Sequence, residues 1–214
     1  VFLAARADLA ETDRQIRQSL LQDSRRSTDS LEDWEENRKA HILHLAKMAA
    51  TLPPARMQTH LEHIKAVDPH FLRIALLDGK ADIVAIDPLR DELGRSNIGK
   101  NFADRPYIPT LQRTLKPMLS EVVMSRVGQQ GPMVAMLVPV VKDGRYGGYV
   151  SGILSFDRIR AILDINVGNR EMWYSLVDRN GNVIVTNRND QKTMEPFSRT
   201  RGRLTAPEEE GIAR

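Results

Sequence analysis

The 214-residue chain contains no cysteine. That absence excludes disulfides, thiolate nucleophiles and cysteine-ligated zinc, and it suits the cytosol and a bacterial periplasm alike. No apolar run approaches the roughly 18–20 residues needed to cross a bilayer. The opening VFLAA reads either as the last turn of a membrane helix or as an apolar start without special meaning. A surplus of one charge is missing too: 31 basic and 28 acidic residues leave a formal net charge of +3. The signs alternate along the chain where a nucleic-acid binder would cluster Lys and Arg on one stripe. No Gly-rich phosphate loop follows a strand, because GRYGGYV falls in a hairpin, and no serine sits in a Gly-x-Ser-x-Gly elbow, YVSGI having glycine on one side only. The pairs His41-x-x-His44 and His60-x-x-His63 each put two imidazoles on one helical face, but neither brings a third ligand, and Glu62 lacks the metalloprotease arrangement. They read as solvated or packing histidines. The expectation is a non-enzymatic chain with no catalytic residues, no metal and no cofactor.

Glycine and proline are absent between Leu9 and Leu52, and Pro53–Pro54 then stops the run. Leu9, Ile16, Leu20, Leu31, Trp34, Ile42, Leu45 and Met48 recur at helical spacing, while 22–30 is polar on every side. One continuous helix of about 40 residues would span roughly 60 Å. The alternative is two helices broken near Ser27–Ser30, although nothing there breaks a helix as glycine or proline does. Such a helix should pack on a domain through its C-terminal half. A second, short helix is predicted from Ala55 to about Val67, with Leu61 and Ile64 inward.

Beyond it the period changes to that of strands. FLRIALLDGKADIVAID (71–87) and MWYSLVDRNGNVIVTN (172–187) share one plan: an alternating apolar run, an aspartate, a glycine-bearing turn and a second β-branched run. Asn180–Gly181 is a hairpin signal of the type I′ kind, since both central residues of that turn need positive φ, and Lys142–Asp143–Gly144 joins two further runs in the same way. With PMLSEVVMSR (117–126), five strands are predicted in 71–156. Helices are predicted at 104–115 and from Asp157, as N-cap, to about Leu163. The fold class is α+β: a long N-terminal helix, then an antiparallel sheet module with flanking helices, then the start of a second, smaller or truncated module. The expected division is a stalk helix at 1–52, a first module at 53–165 and a second at 166–214. About 27 residues follow Asn187, too few to complete a copy of the first module.

The order NIGKNFADRPYI, GPMVAMLVPVVKDGRYGGYVSGILSFDRI, SLVDRNGNVIVTN resembles the double Cache family of extracytoplasmic sensors, with tandem PAS-like (PDC-type) modules. Its members serve bacterial histidine kinases, diguanylate cyclases and chemoreceptors. The resemblance implies a periplasmic domain of an inner-membrane protein, membrane-anchored and dimeric along its N-terminal helix, that passes ligand binding to a cytoplasmic output domain. VFLAA would then be the tail of a first membrane helix.

The candidate site starts at Asp104-Arg105-Pro106-Tyr107. With Asp104 as N-cap and Pro106 in the first turn, Arg105 and Tyr107 would stand beside free backbone N–H groups, a compact receptor for a carboxylate. The other reading pairs Arg105 with Asp104 or Glu121 and leaves Tyr107 as core. The resemblance implies that this Arg-x-Tyr segment lines the ligand pocket of the membrane-distal module. In YGGYVSGILSF, Val150, Leu154 and Phe156 share the face expected to meet the long helix, whereas Tyr149, Ser151, Ile153 and Ser155 share the other. That second face suits a small-molecule pocket, and Ser155 falls where the family often places a polar ligand-binding residue. Ser125 and Arg126 would point to opposite faces of a strand, so at most one could reach a ligand. The candidate ligand-binding set is Arg105, Tyr107, Ser125, Tyr149, Ser151 and Ser155. The amino-acid-sensing branch follows its arginine with two aromatics and has a later aspartate, where this chain has Tyr107-Ile108 and Ser155. A small organic carboxylate is therefore expected as ligand before an α-amino acid. The alternative function is a ligandless periplasmic scaffold or dimerisation domain that senses a protein partner.

Overall fold

The computed structural model describes residues 2–128, 130–167 and 173–198. Helix α1 (Phe2–Ala49) is continuous, passing unbroken through the polar 22–30 segment. Its 48 residues extend about 72 Å. Among the described residues no helix is long and apolar enough to cross a membrane. The chain turns at Ala50–Leu52, where Leu52 N–H donates to the Met48 carbonyl. It then enters α2 (Pro54–Val67), whose first residue is a proline, tolerated there because that N–H has no helical partner. Met57 and Leu61 are its buried residues.

Strands β1 (Phe71–Asp78), β2 (Ile83–Asp87), β3 (Met118–Leu119), β6 (Ala135–Lys142) and β7 (Arg145–Leu154) form an antiparallel sheet in the order β2-β1-β7-β6-β3. Pro139 lies in β6 beyond the short stretch paired with β3, which covers only Met136 and Leu137. There a missing N–H leaves no ladder bond unmade on that edge. The predicted strand at 117–126 is two pieces. After β3, Ser120 is bonded to Ala135 through both its N–H and its hydroxyl oxygen. Val122 N–H then donates to Asp178 Oδ2, 3.0 Å away, and the chain leaves the sheet. It forms a separate ribbon of β4 (Val123–Met124) with β5 (Pro132–Met133).

The turns divide differently from the sequence expectation. At Asp143–Gly144 both residues have positive φ, +49° and +72°, as a two-residue type I′ hairpin requires. Asn180–Gly181 does not follow that pattern: only Gly181 is left-handed, at +79°. Gly181 N–H donates to Asp178 O, and Asp178 N–H to Asn182 O. This is a type I turn closed by a left-handed residue. The Asp178 carboxylate oxygen Oδ1 accepts from the N–H groups of Asn180 and Asn182 and decides the matter. Asp78 does the same for Lys80 and Asp82, with Ala81 as the left-handed residue at +62°. The repeat read from the sequence is thus a repeat of one aspartate-centred turn.

Helix α3 (Ile108–Thr114) starts later than predicted. Helix α4 (Phe156–Val167) contains Asp157 within its first turn, so Asp157 is not its N-cap. Ser155 precedes the helix, and its hydroxyl receives the Arg158 N–H at 3.4 Å. The last described elements are β8 (Ser175–Val177) and β9 (Val183–Thr186), a hairpin. Ile184 and Val185 join the core of α1 and α4. Of the second module expected at 166–214, residues 168–172 and 199–214 lie outside the described residues.

Two apolar cores flank the sheet. On one face Ile42, Leu45, Ala46 and Ala49 of α1 meet Val138, Val150, Leu154 and Ile74. On the other, Tyr107, Ile108 and Leu111 meet Leu77, Leu137 and Tyr149.

Candidate functional site

The face turned away from α1 holds a small, partly open cavity of about 40 Å³. Strand alternation supplies its floor: Ala75 and Leu77 from β1, and Tyr149, Ser151 and Ile153 from β7. Phe102 and Tyr107 close one side, and Ser125, Val127 and Met133 another. Arg73 and Arg126 are the cationic residues of its lining, which includes no Asp or Glu, although the exposed Arg126 guanidinium is held by Asp104.

Tyr149 is fully buried; its hydroxyl makes no hydrogen bond of good geometry, and the hydroxyl of Tyr107 stands close enough for each to perturb the other. Its ring meets that of Tyr107 edge-on, centroids 6.1 Å apart at 78°. Burial pushes the phenol of Tyr149 far up from its ordinary value, that of Tyr107 up as well, and that of the neighbouring Tyr146 to about 12. All three stay protonated at neutral pH and can donate to an anion. Arg73 donates to the Ser125 hydroxyl at 2.9 Å and to the Val127 carbonyl. Burial pulls its pKa down from the ordinary arginine value, with nearby Glu92 acting the other way. Arg126 forms a two-pronged pair with Asp104, at 2.8 and 2.6 Å. The arginine's hydrogen bonds and charge hold the exposed Asp104 carboxyl below the usual carboxylate range.

Of the six residues singled out from sequence, four line this cavity: Tyr107, Ser125, Tyr149 and Ser151. Arg105 does not. It is buried, lies over the ring of Phe102 with 5.5 Å from guanidinium carbon to centroid, and donates to the Met124 carbonyl at 2.8 Å. Nor do Arg105 and Tyr107 stand in a first helical turn: Tyr107 is the N-cap residue of α3, with no side-chain cap, and Asp104 is spent on Arg126. The anion receptor at a helix start is therefore absent. Both alternative partners of Arg105 are also engaged elsewhere, Glu121 with Arg179. Ser155 is outside the cavity: it caps α4, and its N–H donates to the His70 carbonyl. Ser125 and Arg126 both line the cavity because they follow β4 in a non-strand segment, where alternation does not hold. Arg73 was missed altogether. Its only sequence signal is a lone cation within the apolar run FLRIALLD. Among the described residues no group of three His, Asp or Glu is placed to hold a metal ion.

Leu72, Arg90, Asn97 and Pro132 border an open groove of about 460 Å³ beside the cavity. Arg73, Ser125, Val127, Met133 and Ile153 line both spaces.

No family model matches the sequence, and no curated protein does. Solved structures do match in fold. The ligand-binding domain of the Pseudomonas aeruginosa amino acid chemoreceptor PctB, in complex with L-Arg, superposes with a TM-score of 0.69 at 21% identity, over 85% of this chain and 69% of that one. That of the Pseudomonas fluorescens chemoreceptor CtaA, in complex with L-isoleucine, gives 0.63 at 21%, over 86% and 72%. An extracellular ligand-binding receptor from Desulfohalobium retbaense gives 0.67 at 20%, over 85% of this chain; the chain spans 32% of that receptor's length. The long helix followed by an antiparallel sheet with flanking helices is thus the fold of these sensory ligand-binding domains, as the resemblance to double Cache sensors implied.

Proposed function

We propose that this chain is the small-ligand sensor domain of a bacterial transmembrane signalling protein, non-enzymatic and extracytoplasmic, and that its ligand is a small organic carboxylate. One observation carries the reading. The lining of the cavity on the sheet face away from α1 includes Arg73 and Arg126 and no Asp or Glu, and the buried residue Tyr149, whose hydroxyl makes no hydrogen bond of good geometry, belongs to its wall. An anion there gains charge-assisted hydrogen bonds, and an unpaired buried hydroxyl is costly until something accepts from it. An ammonium group would face arginine without a counter-charge in the lining. The PctB and CtaA domains named above are in complex with amino acids; this lining supports a different choice of charge.

The same β7 strand that floors the cavity meets α1 on its opposite face, through Val150 and Leu154. A ligand that binds one arrangement of the sheet better than another biases the position of α1 by its differential affinity, and by no more than that. In this reading α1 carries the signal, within a homodimer packed along it. Among the described residues of α1, Ile16 and Leu21 are exposed large apolar side chains available for that contact.

Calorimetric titration of the purified chain with acetate, lactate, succinate and a set of free amino acids tests the proposal. Binding of a carboxylate, weakened at least tenfold in Arg126→Gln and in Tyr149→Phe, supports it. A preference for zwitterionic amino acids would overturn the carboxylate choice, and silence across the panel would favour the ligandless scaffold.

A further inference from the structure

Among the described residues, Trp34 is the first buried apolar side chain of α1, and its anchorage differs from that of the residues further along. Ile42, Leu45 and Ala49 are held by aliphatic packing alone. The Trp34 indole also donates its Nε1–H to His70 Nδ1 at 2.9 Å, the two rings meeting edge-on at 70°. An imidazole accepts at Nδ1 only while that nitrogen carries no proton. Protonation sets two N–H donors against each other and breaks the bond.

His70 cannot move as a whole to relieve this. Its backbone N–H donates to Asp68 Oδ1 at 3.1 Å, and its carbonyl accepts from Ser155 N–H at 3.0 Å. The charges around the ring come from three elements. Helix α1 brings Arg38, 5.4 Å from the Trp34 ring centroid and 3.3 Å from Asp68, and His41, 2.8 Å from the same carboxylate. Helix α4 brings Arg158, and the link between α2 and β1 brings Asp68 itself. Asp68 is buried and already shared by Arg38 and His41. Burial and Arg38, joined by Arg158, hold the imidazole below its ordinary value against the pull of Asp68.

We propose that this junction is a proton-sensitive switch: protonation of His70 releases the Trp34 indole and frees the N-terminal part of α1 from the sheet module. Acid then moves α1 with no ligand in the cavity, a second input to the same helix. The latch is closed above about pH 6.5, the ordinary imidazole value, and opens as pH falls through the lower folded one.

A chain without cysteine suits a test by paired spin labels. Gln22→Cys is exposed on α1, about 18 Å along the helix from Trp34, and Lys80→Cys is exposed in the turn between β1 and β2. Dilution with unlabelled chain restricts the reading to distances within one chain. The expected result is one distance distribution at pH 8 and a second that grows as pH falls to 5, with a midpoint below 6.5 and unchanged circular dichroism. His70→Asn, whose amide oxygen accepts from the indole but does not titrate, keeps the pH 8 distribution throughout, while His41→Gln still shifts. A shift that persists in His70→Asn, or is lost in His41→Gln, overturns the assignment to His70. A distribution independent of pH overturns the switch, and loss of circular dichroism over the same range replaces it with global unfolding. Nitrogen NMR of the cysteine-free chain gives a measure that needs no labels: the Trp34 indole signal should move in step with the titration of His70, and an indole signal that ignores that titration overturns the proposal.

Discussion

The two faces of β7 are built from alternate residues of one ten-residue strand, and they behave as different materials. Val150, Gly152 and Leu154 face α1, where contacts are aliphatic and Gly152 lets the helix come close: a Cβ there would stand 2.5 Å from Phe71 and 2.7 Å from Ile42. Tyr149, Ser151 and Ile153 face the cavity, where a buried hydroxyl makes no hydrogen bond of good geometry and two arginines belong to the lining. The first face is packed for rigidity. The second carries polar groups whose desolvation is not repaid within the protein, the usual condition of a binding site.

Mutations can break this contrast. The largest effect is expected on the α1 face: Leu45→Ala removes a fully buried side chain and should cost about 2–5 kcal/mol in urea unfolding. Gly152→Val should cost about 1–3 kcal/mol by overpacking and loosen α1, read as faster amide exchange at Ile42 and Leu45. Arg105→Ala should cost about 2 kcal/mol through its bond to Met124 and its stacking on Phe102. Tyr149→Phe has the opposite sign: removing a buried hydroxyl that makes no hydrogen bond of good geometry should leave stability equal or raise it by up to about 1 kcal/mol, while ligand affinity falls.

The smallest effect is a dependence on pH at the foot of α1. Trp34 Nε1–H donates to His70 Nδ1 at 2.9 Å, so that nitrogen carries no proton. Burial and then the charge of Arg38 hold the imidazole below its ordinary value, joined by Arg158 and opposed by Asp68. Asp68 itself accepts from His41 and from the His70 backbone. Because the folded pKa is depressed, the contribution is present above about pH 6.5, the unfolded value, and is lost as pH falls toward the folded one. Unfolding free energy measured from pH 8 to pH 5 should decline in acid, and His70→Asn should make the decline shallower.

Much of this was legible in the residues. The glycine- and proline-free run to Leu52 gave one helix, and alternation in YGGYVSGILSF put Val150 and Leu154 toward it and Tyr149 and Ser151 away from it. What escaped was whatever depended on a side chain choosing among distant partners. Asp104 looked like a helix cap until Arg126, 22 residues on, paired with it, and Ser155 looked like a ligand residue until α4 used it as a cap. Asn180–Gly181 carried a type I′ signal, but the Asp178 carboxylate, bonded also to Val122, fixed another turn.

The sequence by itself determined the helix, the strands and the polarity of each face, because these follow from local propensity and from periods of 3.6 and 2 that every residue repeats. The tertiary structure alone decided which cations border the cavity. Arg73 and Arg126 lie on separate elements, and only the departure of β4 from the sheet, anchored by Asp178 on Val122, brings Ser125, Arg126 and Val127 over β1. A site made by loop geometry leaves no period in the sequence to read.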